Sequence, residues 1–255
     1  MLKWLTGGRD RPGRGSSDGS TDGSNDSGRL AALLRDYPPA TPPHRGTNGS
    51  WPGATAPQLT LEQCRENLAW QRETTPARLA ALAALLDVFG LAVQDAYADD
   101  RRPGFIAALD RLLVEQLPAT YTPALAGRGA WEASDRAGPR IVHSLLADLA
   151  WLEGDIMVAA RPGSFWGLDL DPADSTMLSY RRPCLLGLSD SLFPAIHHIY
   201  HLEGEWFGVY RRMDAVYPGR FGDGIGSALL QRLARDIVAD DLPQRRATGW
   251  LAKAV

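Results

Sequence analysis

The stretch Ile141–Ala160, IVHSLLADLAWLEGDIMVAA, decides the fold of this chain. Its apolar residues recur with a period close to that of an α-helix, which predicts a long central helix. The apolar arc is wide, so we expect neighbouring elements to cover this helix on more than one side. Arg161, Pro162 and Gly163 follow it and end the helical pattern.

The periodicity changes downstream of this helix. Phe165–Leu170 and Met177–Leu186 are rich in the aliphatic and aromatic residues that favour strands. Asp171 and Pro172 lie between them and are typical of the first two positions of a turn. The simplest arrangement is a β-hairpin, near residues 165–186, that packs against the central helix.

Further helical patterns flank this unit. Thr60 and Gln63 have the spacing of a capping box, and the helix they begin is expected to end before Pro76, where a second helix starts. Phe105–Gln116 predicts a third helix and Ser227–Ala239 a last one. The chain is therefore predicted to have an α+β fold, predominantly helical, with helices packed around a small antiparallel sheet.

The chain divides into three parts. Residues 1–57 are predicted to form a disordered arm, because the run GRGSSDGSTDGSNDSG at residues 13–28 has almost no apolar surface to bury. Within this arm, Arg29–Asp36 has a helical pattern and is either a docking peptide or a transient helix. Residues 58–242 are predicted to form one globular domain, and residues 243–255 a frayed tail.

Composition argues against several classes of protein. The 255 residues carry a formal net charge of −3, which is not typical of a nucleic-acid-binding protein. No apolar run approaches the roughly 18 residues of a membrane-spanning helix, and no secretory signal pattern is recognised. Cys64 and Cys184 are interpreted as free thiols in a reducing compartment. We therefore expect a cytoplasmic protein with neither nucleic acid nor membrane as partner.

His197, His201 and Glu205 form the strongest candidate for a metal site. On a continuous helix these residues share one face, and two histidines with a carboxylate can bind zinc. The order differs from the metalloprotease pattern His-Glu-x-x-His, and Gly204 weakens the helix. A metal here would indicate a metal-dependent or acid–base hydrolase. The other interpretation is a polar helix face whose histidines form local hydrogen bonds.

Four aspartates, Asp169, Asp171, Asp174 and Asp190, form a second candidate site. Asp169 and Asp171 share one face of the predicted strand, so their two carboxylates could raise the pKa of one of them or bind a divalent ion. The simpler interpretation is the solvent-facing side of a strand. The sequence contains no Gly-x-Ser-x-Gly elbow and no Walker-type phosphate loop.

Aromatic residues crowd the span from residue 151 to residue 210. If several share a surface with arginines, they form a patch with the composition of a protein-binding interface. Trp166, Arg182, Trp206 and Tyr210 are assigned to this patch, and an aromatic core is the simpler explanation. The leading hypothesis is a non-catalytic module that binds a protein partner, such as an inhibitor or an immunity-type protein. No cofactor is expected, and zinc is the alternative.

Overall fold

A computed structural model of the chain describes residues 28–47, 54–161, 163–189 and 197–213. The α-helices in this part are α1 (Arg29–Leu33), α2 (Leu61–Asp87), α3 (Arg102–Gln116), α4 (Arg128–Glu132), α5 (Val142–Ala160) and α6 (Leu202–Arg211). The strands are β1 (Phe165–Leu168), β2 (Pro183–Ser189) and β3 (His197–Tyr200). The predicted class, a predominantly helical α+β fold with a small antiparallel sheet, is confirmed.

Helix α5 is the centre of the fold. Its side chains from Val142 to Met157 are buried with the single exception of Asp155. Helices α2 and α6 pack against it, and Trp151 of α5 is fully buried edge-on to Trp70 of α2, with ring centroids 5.5 Å apart. The prediction of a helix covered on more than one side is therefore confirmed.

Helix α2 is one continuous element with Pro76 in its interior, so the prediction of two helices separated at this proline is wrong. The helix begins as predicted, with Thr60 as the N-cap of a capping box. Leu68 before the proline and Leu82 after it are both buried. Tertiary packing of both halves thus outweighs the local cost of an interior proline, about 3 kcal/mol.

The sheet has the order β1-β2-β3, and both pairs are antiparallel. The predicted hairpin is confirmed, although its second strand begins at Pro183 rather than at Met177. The preceding segment folds into turns around Asp169, whose carboxylate accepts a hydrogen bond from the Ser179 hydroxyl at 2.6 Å. Asp169 is fully buried, which corrects its predicted position on a solvent-facing strand surface beside Asp171.

Strand β3 lies in the histidine-bearing segment where the predicted metal site required a continuous helix. Tyr200 pairs with Leu185 of β2, and helix α6 begins only at Leu202. The edge of β2 offers unpaired backbone groups to a new strand, and the β-branched Ile199 and the aromatic Tyr200 are residue types that favour strands. Pairing with that edge replaces the helix that the local sequence favours.

Residues 28–47 are packed against the fold, which corrects the prediction of a disordered arm over this part of residues 1–57. Leu30 and Leu34, on the apolar face of the predicted island, are each 2% exposed and belong to the main core. The backbone N–H of Ala40 donates to Ser144 Oγ of α5 at 2.7 Å. So short a helix is stable only through such tertiary contacts.

Other predictions fall outside the described residues. Residues 1–27, the predicted helix Ser227–Ala239 and the predicted tail at residues 243–255 all belong to this part of the chain. The single globular domain at residues 58–242 therefore stays a prediction. Within the described ranges, no helix combines the length and the apolar character needed to cross a membrane.

Candidate functional site

A polar cavity lies where the N-terminal segment, α2, α4, the start of β2 and α6 meet. Gln71, Glu132, Arg136, Arg182 and Glu203 are among the residues that line it. Its volume is about 50 Å³. One water needs on the order of 10–15 Å³ of such space, so the cavity has room for a few waters or for one small chemical group.

An ion pair between Arg136 and Glu203 forms one wall of the cavity. Arg136 Nη2 donates to Glu203 Oε2 at 2.6 Å, and the indole N–H of Trp151 donates to Glu203 Oε1 at 2.8 Å. Burial raises the pKa of Glu203, but the charge and hydrogen bond of Arg136 outweigh burial and lower this pKa overall. Glu203 is therefore an ionised carboxylate at neutral pH.

Arg182 forms the opposite side of the cavity. Its guanidinium carbon lies 4.9 Å from the centroid of the Trp131 ring, and its Nη2 lies 3.6 Å from Glu132 Oε1. The same nitrogen donates to the Gly46 carbonyl at 3.3 Å. Burial lowers the pKa of Arg182, against the opposing effect of Glu132 and Glu203. Stacking on an aromatic face orients the guanidinium and leaves its in-plane N–H groups to bond sideways.

His201 contributes a neutral imidazole to the cavity. The residue is 8% exposed, and its ring centroid lies 5.8 Å from that of Trp131. Burial, followed by the positive charge of Arg182, lowers the pKa of His201 to about 3. A neutral imidazole carries one donor and one acceptor nitrogen, so it can complete a hydrogen-bond network of either polarity.

Several buried polar atoms in this wall have no hydrogen-bond partner within the part of the chain that the structure describes. They are both amide atoms of Gln71, Nη1 of Arg136, Nε of Arg182 and Nδ1 of His201. Gln71 is 2% exposed, and Arg136 is 8% exposed. Each buried polar group without a partner costs about 1–3 kcal/mol, so their concentration in one cavity is energetically unfavourable unless a bound group completes it.

Ser134 and His143 form a hydrogen-bonded pair beside the same cavity. His143 Nδ1 lies 2.8 Å from Ser134 Oγ, and His143 Nε2 lies 3.1 Å from the Leu125 carbonyl. The carbonyl can only accept, which assigns the proton to Nε2 and makes Nδ1 the acceptor of the serine hydroxyl. Burial lowers the pKa of His143 to about 4, so this imidazole is a weak base.

The structure does not place the predicted metal ligands on one helix face. His197 lies in β3, whereas Glu205 lies in α6 and His201 is the N-cap between them. The geometric argument for zinc at these residues therefore fails, because the continuous helix it required is absent. Among the described residues, no group of three or more His, Cys, Asp or Glu side chains is arranged to hold a metal ion.

Two of the four residues predicted for a partner surface are core residues. Trp206 is 1% exposed and donates to Glu153 Oε2 at 2.8 Å, and Tyr210 is fully buried. Their assignment to an interface is corrected, because neither ring reaches the surface. Trp166 is partly buried against the core, and only Arg182 lies at the cavity.

The cavity was not found from the sequence. Gln71, the pair Glu132 and Arg136, and Glu203 come from three segments far apart in the chain, and each is an ordinary polar residue in its local pattern. Comparisons with known proteins add no relative: no family model, curated protein or solved structure matches the chain. The interpretation of the site therefore rests on its own geometry.

Proposed function

We propose that this chain is a non-catalytic binding protein and that the polar cavity is its binding site. The observation that carries this proposal is a set of four residues lining one cavity, Gln71, Arg136, Arg182 and His201, each with a buried polar atom that has no partner among the described residues. Folded proteins pair nearly all buried polar groups. Ligand pockets, by contrast, present a few polar groups that point into a concave site.

Backbone geometry supports the proposal independently. Arg136 and Arg181 have positive φ angles of 56° and 58°, and they are the non-glycine residues with this conformation in the described part of the chain. Arg136 lines the cavity, and Arg181 directly precedes the cavity residue Arg182. Such conformations cost on the order of 1–3 kcal/mol and concentrate at functional sites. Both segments that carry the cavity arginines are thus held in an unfavourable conformation.

Ordered water is the competing explanation for a polar cavity. Buried waters form about three hydrogen bonds each and satisfy groups of this kind. A cavity that holds only water needs no buried arginines, however, whereas this cavity has two. Burying a charged group is costly unless its hydrogen bonds are complete. The two guanidinium groups favour a ligand over water alone.

The sequence hypothesis that the partner is a protein, neutralised in the manner of an inhibitor or immunity protein, stays a prediction. The rim of the cavity is compatible with it, since Arg45 is exposed there and could contact a larger partner. In that arrangement, one side chain of the partner would enter the cavity.

A fragment screen by two-dimensional NMR tests the proposed function. Small polar fragments of positive, neutral and negative charge are added to the full chain, and the Gln71 amide and Trp131 indole signals are followed. At least one charge class is expected to shift both signals in a saturable manner. The indole signal of Trp206, which does not line the cavity, is the internal control. If no class shifts the cavity signals, the proposal is wrong.

The Ser134–His143 pair favours a second candidate, a serine hydrolase. The hydroxyl would attack a carbonyl carbon while His143 Nδ1 takes its proton, with the Leu125 carbonyl holding the other ring nitrogen. A fluorophosphonate probe distinguishes the two functions. Labelling that disappears in Ser134→Ala would support the hydrolase, and the binding proposal expects no labelling at this serine.

A further inference from the structure

The chemistry of the cavity wall identifies the class of ligand. We infer that the cavity binds a carboxylate group, held by Nη1 of Arg136, Nε of Arg182 and the side-chain amide of Gln71. This inference rests on the proposed function and specifies its ligand. It follows from three properties of the wall: the hydrogen-bond polarity of its partnerless atoms, its charge and its size.

The partnerless atoms are mainly donors. Arginine has N–H groups and no acceptor, so Nη1 of Arg136 and Nε of Arg182 can be satisfied only by an acceptor. The amide nitrogen of Gln71 adds a third donor. Cationic and apolar groups have no lone pair to offer these atoms, and both are therefore poor ligands. A carboxylate is an acceptor at both oxygens and forms charge-assisted bonds with guanidinium groups.

Charge limits the ligand to a weakly charged anion. The lining side chains include three arginines and two glutamates, an excess of one positive charge with histidines counted as neutral. A phosphate monoester carries about −1.5 to −2 charges at neutral pH, and the two glutamates would repel it. A monoanion matches the excess. The cavity volume of about 50 Å³ has room for a carboxylate group.

The donors are held in place before any ligand arrives. Arg136 is oriented through Nη2 by Glu203, which is itself held by the Trp151 indole. Arg182 is oriented by its stacking on Trp131. Neighbouring groups that lock a donor's rotamer reduce the ordering that binding requires.

Two sources can supply the carboxylate, a small free acid or an acidic side chain of a protein partner. Calorimetry and thermal denaturation of the full chain distinguish them with four probes. N-acetylglycine is compared with its neutral isostere N-acetylglycinamide, and an end-blocked peptide with one glutamate is compared with its glutamine counterpart. Saturable binding of the free acid identifies a small-molecule ligand, and binding of the glutamate peptide alone identifies a protein partner.

Either result supports the carboxylate, provided that the matching amide binds at least about tenfold more weakly, as loss of a charge-assisted pair predicts. Binding of the amides with equal affinity would overturn the inference. So would binding of neither carboxylate. If cationic or neutral fragments shift the cavity signals in the NMR screen while carboxylates do not, the ligand class is wrong and the binding function stands. If no fragment of any charge shifts them, both are wrong.

Gln71→Leu separates a binding role from a structural one. It removes an amide that has no partner in the described part of the chain, so the ligand-free protein is expected to keep or increase its melting temperature. Its affinity for the carboxylate is expected to fall about tenfold or more, which a purely structural role would not cause. Unchanged affinity in this folded variant would overturn the assignment of Gln71 and of the cavity as the carboxylate site.

Arg136→Lys keeps the positive charge beside Glu203 and removes the second guanidinium donor. We expect the affinity of this variant for the carboxylate to fall about tenfold relative to the unsubstituted protein, because lysine lacks the planar fork that binds carboxylates. Arg140→Ala is the matched control, since this arginine is close in sequence, exposed and outside the cavity wall. Equal effects of the two substitutions would contradict the inference. If Arg136→Lys does not fold, the Gln71→Leu result decides.

Discussion

Two buried arginine clusters in this fold differ in how completely their hydrogen bonds are satisfied. In the first, Arg78 donates from Nε to Asp148 Oδ1 at 3.0 Å and from Nη1 to the Pro38 carbonyl at 2.6 Å, and its Nη2 pairs with Asp148 Oδ2. The Tyr37 hydroxyl donates to the same carboxylate at 2.6 Å. In the second, around the cavity, Arg136 bonds Glu203 through one nitrogen and leaves Nη1 without a partner among the described residues.

The pKa shifts of the arginines follow this difference. Burial lowers the pKa of Arg78, but the hydrogen bond and charge of Asp148 outweigh it and raise this pKa overall. For Arg182, burial prevails and the pKa is lowered. The carboxylates show the opposite order, because burial raises the pKa of Asp148 overall whereas Arg136 lowers that of Glu203. The completeness of the arginine hydrogen bonds, rather than the pKa shifts, therefore distinguishes the two clusters. We interpret the first as a structural attachment of the N-terminal segment to α2 and α5, and the second as a binding site.

Breaking the first cluster is expected to have the largest effect on stability. Asp148→Asn leaves the Arg78 guanidinium buried without its counter-charge, and removing one partner of a buried ion pair typically costs about 3–5 kcal/mol. Asp155→Asn on the same helix is the control, because Asp155 is only partly buried and accepts a hydrogen bond from Tyr97. Urea denaturation of both variants measures the difference. Equal losses would show that the Arg78 cluster has no special structural role.

Acid is expected to destabilise the fold through its buried histidines. The pKa of His143 falls from its ordinary 6.5 to about 4 because of burial. Between these pH values the unfolded chain binds a proton that the folded chain does not. The stability contributed by neutral His143 is therefore complete above pH 6.5 and is lost as the pH falls towards 4, by about 3 kcal/mol in total.

Following the same acid titration by NMR reports the protonation of His143 and of the cavity residue His201 separately. Both His143 and His201 should remain neutral at pH 5 in the folded protein, and titration of either near pH 6.5 would contradict the burial argument. A carboxylate bound in the cavity adds a negative charge beside His201 and is expected to raise its pKa. His143 is hydrogen-bonded to Ser134 and to the Leu125 carbonyl, so its pKa should change less.

The smallest expected effect on stability comes from removing the Tyr37 hydroxyl, which donates to Asp148 in the first cluster. Tyr37→Phe removes one hydrogen bond to a buried charged carboxylate, and such bonds contribute about 1.5–3 kcal/mol. Tyr97→Phe is the matched control, since the Tyr97 hydroxyl also donates to a carboxylate, that of Asp155, but Tyr97 is 38% exposed. We expect a loss below about 1 kcal/mol for the control. Thermal denaturation compares the two, and a reversed order would contradict the structural role of Tyr37.

Local patterns predicted part of this fold correctly. The covered helix α5, the capping box at Thr60 and the hairpin after α5 depend on residues that are neighbours in sequence. The aromatic cluster was interpreted less well, because composition does not reveal which side of a helix faces the core. Trp206 and Tyr210 have the residue types of an interface and are buried.

The sequence by itself determined the elements whose stability arises locally, since helical periodicity, capping and turn preferences act within a few residues. Only the tertiary structure decided the rest. Packing kept α2 continuous through Pro76, and an available sheet edge turned His197–Tyr200 into a strand. Packing also brought Gln71, Arg136 and Arg182 to one cavity. Which polar side chains meet depends on how distant segments bury their apolar faces, and no local pattern in the chain records that.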